Sequence, residues 1–217
     1  MTLREEYEQY MTFAKCCLNT LETIVCNLQA LAELDKERGY NPYHVISSRS
    51  KKYESAMEKC ERKHVKKSMD VIKTRFHDLI GIRIVTLFLD DVRKIRDEIL
   101  RQPGIVLVEE LDYISNPKEN GYRSLHLKVL LTLYSGKVTV QVPAEIQIRT
   151  IFQDSLWSVE HVIKYKKDVD AELATHIGRQ IAVLASEQYE FECQLVRLRD
   201  IGAISASDVA TMATAAK

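Results

Sequence analysis

The chain is expected to fold as an α+β protein, a mixed and largely antiparallel sheet of about five strands flanked by N- and C-terminal helices. Three observations carry this expectation. Long stretches of helical period stand at both ends, the first of them free of proline and glycine. β-Branched runs crowd the middle of the chain. Successive runs there are joined by short polar turns, which suit hairpins rather than the crossovers of a parallel sheet.

The elements follow in order. Between residues 3 and 36, Tyr7, Met11, Ala14, Leu18, Leu21, Val25 and Leu28 recur at steps of three and four, the stripe of an amphipathic packing helix. Gly39 and Pro42 break it, and residues 43–48 read as a short strand. Residues 51–73 turn helical and basic, and the β-branched run 80–88 reads as a buried strand. Asp90 or Asp91 caps a helix that ends near Arg101, ahead of Pro103 and Gly104. Strands over 105–114 and 123–134 bracket a polar loop, and Ser135 and Gly136 turn the chain into a strand over 137–148. Helices over 150–167 and 171–199 complete the pattern, and 203–217 is expected to fray. One domain, 1–217, is expected: an N-terminal helix in 1–40, a catalytic core in 41–167, and a C-terminal helix and tail in 168–217.

Composition excludes several classes. Lys plus Arg and Asp plus Glu are each 31, so no net field steers the chain toward nucleic acid or membrane, and any cationic site must be local. The five cysteines hold no C-x-x-C pair, which favours reduced thiols over disulfides or zinc. The N-terminus lacks the basic-then-apolar order of a signal peptide, and no apolar run approaches the roughly 20 residues that span a bilayer. A cytoplasmic location without a membrane partner is expected.

The chemistry concentrates in a few stretches. Lys118, Asn120, Tyr122, Arg123 and His126 crowd a glycine-broken loop, and such polar density marks a ligand site more often than packing. Tyr122 offers either a stacking face for a base or a ring buried against the sheet. On a helix, Lys51, Ser55, Lys59 and Arg62 share one face; the bland reading is a solvated basic surface, the sharper one a cradle for a triphosphate. Glu145, Gln147 and Arg149 alternate with Ile146 and Ile148, so the polar trio faces one way and the isoleucines face the core. Asp78 adds a second acid, giving the pair that a magnesium-dependent phosphoryl-type transfer needs. Strand parity would separate Asp78 from Arg83 unless Gly81 allows an irregularity. His77–Asp78 mimics a phosphohydrolase pair but lacks partner histidines at metal spacing.

Taken together, the D-Y-I-S-N-P-K-E-N-G-Y-R-S-L-H run at 112–126, E-I-Q-I-R-T at 145–150, the set Arg49, Lys51, Ser55 and Lys59, and D-x-x-G-x-R at Asp78, Gly81 and Arg83 resemble the RelA/SpoT-type alarmone synthetases, in particular the small single-domain ones. The resemblance runs from about residue 49 to residue 166. It implies a nucleotidyltransferase-like sheet and transfer of the β,γ-pyrophosphate of ATP to the 3′-hydroxyl of GDP or GTP, yielding ppGpp or pppGpp and AMP. By the same resemblance, Arg49 and Arg83 sandwich adenine, and Lys51, Ser55, Lys59 and Arg62 hold the ATP phosphates. Asp78 and Glu145 hold Mg²⁺, with Glu145 also activating the acceptor hydroxyl. Tyr122 stacks guanine, while Lys118, Asn120, His126 and Gln147 position the acceptor.

Two positions depart from the family pattern: Leu111 stands where Lys or Arg usually precedes the aspartate, and Ser48 replaces a glycine. The first leaves the choice between GDP and GTP open. A homotetramer formed through terminal helices is a further implication; the stripe Leu173, Ile177, Ile181, Leu184, Phe191, Leu195 and Leu198 suits it, and packing within the chain explains the stripe equally well. Rival readings keep the chemistry on another acceptor, an adenosine nucleotide or a tRNA 3′ end, or keep only a non-catalytic nucleotide- or RNA-binding scaffold. Neutral net charge argues against the tRNA substrate, and the presence of both acids argues against the inert scaffold.

Overall fold

The computed structural model describes residues 1–35, 39–135, 138–164 and 171–202; Gly136 of the turn expected at Ser135 and Gly136, and the tail 203–217, lie outside them. The chain opens with Leu3–Glu33 (α1), started by a capping box in which Thr2 accepts from the Glu5 amide and the Glu5 carboxylate accepts from that of Thr2. Tyr43–Ser50 (β1) follows, then Tyr53–Arg62 (α2), Met69–Arg75 (α3), Ile80–Thr86 (β2), Asp91–Leu100 (α4) and Ile105–Asp112 (β3). Leu125–Ser135 (β4), Val138–Thr150 (β5), Ile151–Lys164 (α5) and Ala171–Gly202 (α6) complete it.

The helix expected over 51–73 is two helices, and Lys51 belongs to neither. Its amide donates to the Leu79 carbonyl at 2.7 Å, extending the β1–β2 pairing, and Lys52 is the extended N-cap of α2. Between α2 and α3 the like-charge pairs Arg62/Lys66 and Lys63/Lys67 would stack at i, i+4 in a continuous helix, which disfavours it. His64 instead takes a positive φ of 52° there.

The five strands form one sheet in the order β1-β2-β5-β4-β3. Three of its pairings are antiparallel, and β2 with β5 is parallel, so the mixed and largely antiparallel expectation holds. In register, Ile82 and Ile84 pair with Ile146 and Ile148, and these with Leu127 and Leu125. This apolar face packs under α1, through Tyr7, Met11, Ala14, Leu18, Leu21 and Val25, and under Ile95 and Ile99 of α4. Burying some fifteen large side chains here supplies the main driving force of the fold, at about 1.5–3 kcal/mol each before entropy is charged.

Gly81 opens the parallel pairing, opposite Glu145. A Cβ on it would lie 2.7 Å from the Glu145 carbonyl oxygen, so only glycine lets β2 and β5 close in register. No irregularity occurs there. The parity conflict between Asp78 and Arg83 resolves differently: β2 begins only at Ile80, and Asp78 lies in the turn before it.

The C-terminal end of α6 is tied to the start of α4. Arg199 donates to both carboxylate oxygens of Asp90, at 2.8 and 3.1 Å, with its guanidinium 4.9 Å above the Phe88 ring. Burial pushes the Asp90 carboxyl up, but hydrogen bonds from Arg199 and Lys94 outweigh it and hold it below the ordinary 3.8. A carboxyl depressed in the folded state adds stability above its unfolded value and loses it as pH falls through the folded one. Arg199→Gln should therefore lower the thermal midpoint by a few degrees at pH 7, at roughly 2–4 °C per kcal/mol for a chain this size. In melts of both proteins across pH, the gap should close below about pH 4; a gap unchanged at pH 3 would refute the pairing.

Candidate active site

The sheet face opposite the α1 core is polar because strand parity makes it so. Arg49 on β1, Gly81 and Arg83 on β2, Glu145, Gln147 and Arg149 on β5, and His126 and Lys128 on β4 fall in register across it. Arg49, Asp78, Arg83, Glu145 and Gln147 line one cleft of about 180 Å³. The two acids, 67 positions apart in sequence (145 − 78), thus share a cavity.

Each acid is held in a distinct way. Lys51 reaches Asp78 from the end of β1 at 3.0 Å, and Lys59 reaches it from α2 at 2.6 Å. Burial pushes the Asp78 carboxyl up, but these lysines outweigh it and the group stays below the usual carboxylate range. Glu145 accepts from His126 Nδ1 at 3.2 Å and from Gln147 Nε2 at 2.8 Å, with Arg49 at 3.8 Å. Burial raises its carboxyl, the bond from His126 and then that from Gln147 lower it further, and it too ends below the ordinary value. An ionised Glu145 can only accept, so His126 carries a proton on Nδ1, and its Nε2 meets the Tyr122 hydroxyl at 2.8 Å.

The acceptor loop differs from the expectation at Tyr122. Its ring is 8% exposed, packed 4.6 Å from Trp157 of α5 and 6.0 Å from Tyr113, with the Lys118 ammonium 4.9 Å above it. Of the two readings weighed for this residue, burial is the one realised; the open stacking platform is not present. Asn120 donates to Glu160 of α5 at 2.9 Å and its oxygen accepts from the Tyr122 amide, which shapes the loop. Lys118 remains exposed, also 4.4 Å over Tyr113.

Of the expected phosphate cradle, Lys51 and Lys59 meet at Asp78. Ser55 and Arg62 lie exposed on α2 and do not line the cleft. Residues that sequence reasoning missed come from α5. Thr150 and Gln153 cap each other's amides at 3.2 Å, launching α5 directly from β5. That places Asp154 3.4 Å from both Arg83 and Arg149, and sets Trp157 and Glu160 against the acceptor loop. The T-x-x-Q signature was the available signal for this start.

Fold and site together define a nucleotidyltransferase-like α+β protein with an acidic cleft rimmed by arginine and lysine. Residues 48–170 match the model of the region found in RelA / SpoT proteins, and the chain belongs to that family. The GTP pyrophosphokinase YwaC of Bacillus subtilis is 34% identical over 169 residues, 78% of this chain and 80% of that protein. The GTP pyrophosphokinase YjbM of the same organism is 27% identical over 89% of each chain. The crystal structure of small alarmone synthetase 1 from Bacillus subtilis bound to its product pppGpp matches with a TM-score of 0.77 at 26% identity, covering 90% of this chain and 99% of that one. No helix among the described residues is long and apolar enough to cross a membrane.

Proposed function

We propose that the chain transfers the pyrophosphate of ATP to the 3′-hydroxyl of GDP or GTP, giving ppGpp or pppGpp and AMP. The observation that carries this is the convergence of Asp78 and Glu145 on one cleft beside Arg49, Arg83, Lys51 and Lys59. The 3′-oxygen forms a bond to the β-phosphorus as the bond from that phosphorus to the α-phosphate oxygen breaks. The leaving group is already good, so the work is alignment and charge neutralisation. Glu145, fixed by two donors, takes the proton of the attacking hydroxyl. Lys51 and Lys59 turn from Asp78 to the phosphates, and Arg49 and Arg83 frame the adenine.

Two carboxylates on one cleft, with no cluster of three or more His, Cys, Asp or Glu among the described residues, fit Mg²⁺ shared with substrate phosphates better than an all-protein cage. Asp78 and Glu145 would hold the ion, which when bound neutralises charge on the transferred group. Lys118 is the cation we assign to the acceptor phosphates, with His126 and Gln147 positioning the ribose and Tyr122 supporting His126 from behind. The location proposed is the cytoplasm. The assembly proposed is a homotetramer that covers the apolar side chains exposed on α5 and α6, such as Val162, Leu184, Leu198 and Ile201.

The test is labelled ATP incubated in parallel with GDP, GTP, ADP and bulk tRNA. AMP release should depend on Mg²⁺ and on a guanosine nucleotide. Label moving to ADP or tRNA instead would reassign the acceptor, and binding without AMP release would make the chain a non-catalytic module.

A further inference from the structure

Arg149 is the largest fully buried side chain among the described residues, 1% exposed near the end of the middle strand of the sheet, β5. A buried guanidinium costs several kcal/mol unless its donors are satisfied, and replacement by an apolar residue of similar volume often stabilises a core. Here the donors are poorly satisfied. Nε and NH1 make no hydrogen bond, and the ion-pair contact with Asp154 is 3.4 Å long and divided with Arg83. Packing and stability therefore do not account for an arginine at this position.

Its one well-formed bond does. Arg149 NH2 donates to Gln147 Oε1 at 3.1 Å, and Gln147 Nε2 donates to Glu145 Oε2 at 2.8 Å. Arginine has donors only, so it takes the amide oxygen and leaves the N–H₂ for Glu145. The flipped amide would set two donors against each other at Arg149 and two acceptors against each other at Glu145. We propose that Arg149 is a positioning residue that fixes the amide of Gln147 so that its N–H meets Glu145, acting on the reaction only through Gln147. This rests on the proposed transfer reaction for its kinetic consequence, though not for its geometry.

Steady-state kinetics of wild type, Arg149→Met, Arg149→Lys, Gln147→Ala and the Arg149→Met/Gln147→Ala double variant test it. Arg149→Met should lower kcat about 10- to 100-fold, as loss of a supporting residue does, with KM for ATP within about twofold. Arg149→Lys, which still donates, should recover most of that. The double variant should be no slower than Gln147→Ala within about twofold, because the two act as a unit. Multiplicative losses in the double variant would overturn the proposal. Gln147→Glu keeps a partner for Arg149 and so guards against a folding defect; near-normal turnover in it would also overturn the proposal. Side-chain amide resonances of Gln147 in ¹H–¹⁵N spectra read the same geometry without turnover. They should be protected from exchange in wild type and Arg149→Lys and lose protection in Arg149→Met. Unchanged protection in Arg149→Met refutes the positioning role even if wild type releases no AMP, an outcome that would separately refute the proposed reaction.

Discussion

Glu145→Gln should reduce transfer by about 10³-fold or more at saturating ATP and acceptor, with the thermal midpoint within a few degrees of wild type. The size follows from two losses at one position: a positioned base contributes about 10²–10⁴ in rate, and the charge that faces the cleft disappears with it. The small effect on the fold follows from isosteric replacement on the middle of a strand paired on both sides, by β2 and by β4. One of the two oxygens that accepts from His126 and Gln147 becomes a donor, so a single hydrogen bond is lost at a cost of about 1 kcal/mol. Chromatographic assay of AMP alongside a thermal melt checks both parts. Full turnover in this variant would remove Glu145 from the reaction.

Asp78→Asn should be nearly as damaging to turnover, about 10²–10³-fold, and unlike Glu145→Gln it should also destabilise the protein. Lys51, Lys59 and Asp78 have side chains 17%, 15% and 17% exposed, so the carboxylate is the near-buried counter-ion of two ammonium groups. Breaking such a set by removing one charge costs about 3–5 kcal/mol when the group is fully buried. The retained amide oxygen and partial exposure bring the expectation to about 1–3 kcal/mol. ATP should restore part of the lost midpoint, because its phosphates supply the anion that the two lysines lack. Melts with and without ATP check this; a variant as stable as wild type would mean that the lysines do not depend on Asp78.

These expectations bear on how much of the molecule was legible in the chain. Alternation in 145–149 settled which side chains of β5 face the site, and the break at Pro103 and Gly104 marked the start of β3. The parallel pairing of β2 with β5 was not legible, since it depends on the close approach at Gly81 of segments more than sixty residues apart. The basic run after Lys51 shows the limit of periodicity. Spacing placed four polar residues on one helical face, but backbone pairing of Lys51 with Leu79 claimed the first of them for the sheet.

The acceptor side was harder to read. Residue types in 118–126 marked a ligand loop, yet whether Tyr122 lies open or covered depends on the direction in which α5 leaves β5. That direction brings Trp157 onto the ring and Glu160 onto Asn120. Gly121, at φ 79°, lies so close to α6 that a Cβ would meet Ala185 at 2.7 Å. The loop is therefore shaped by two helices that follow it in sequence, and no local pattern within it carries that information.

The carboxylates of Asp78 and Glu145 are proposed to serve a single ion shared with ATP phosphates. Anomalous diffraction from crystals grown with Mn²⁺ and a non-hydrolysable ATP analogue tests it most directly. One strong peak is expected in the cleft, beside the triphosphate and within reach of both carboxylates. A peak remote from either side chain, with the triphosphate bound outside the cleft, would contradict it.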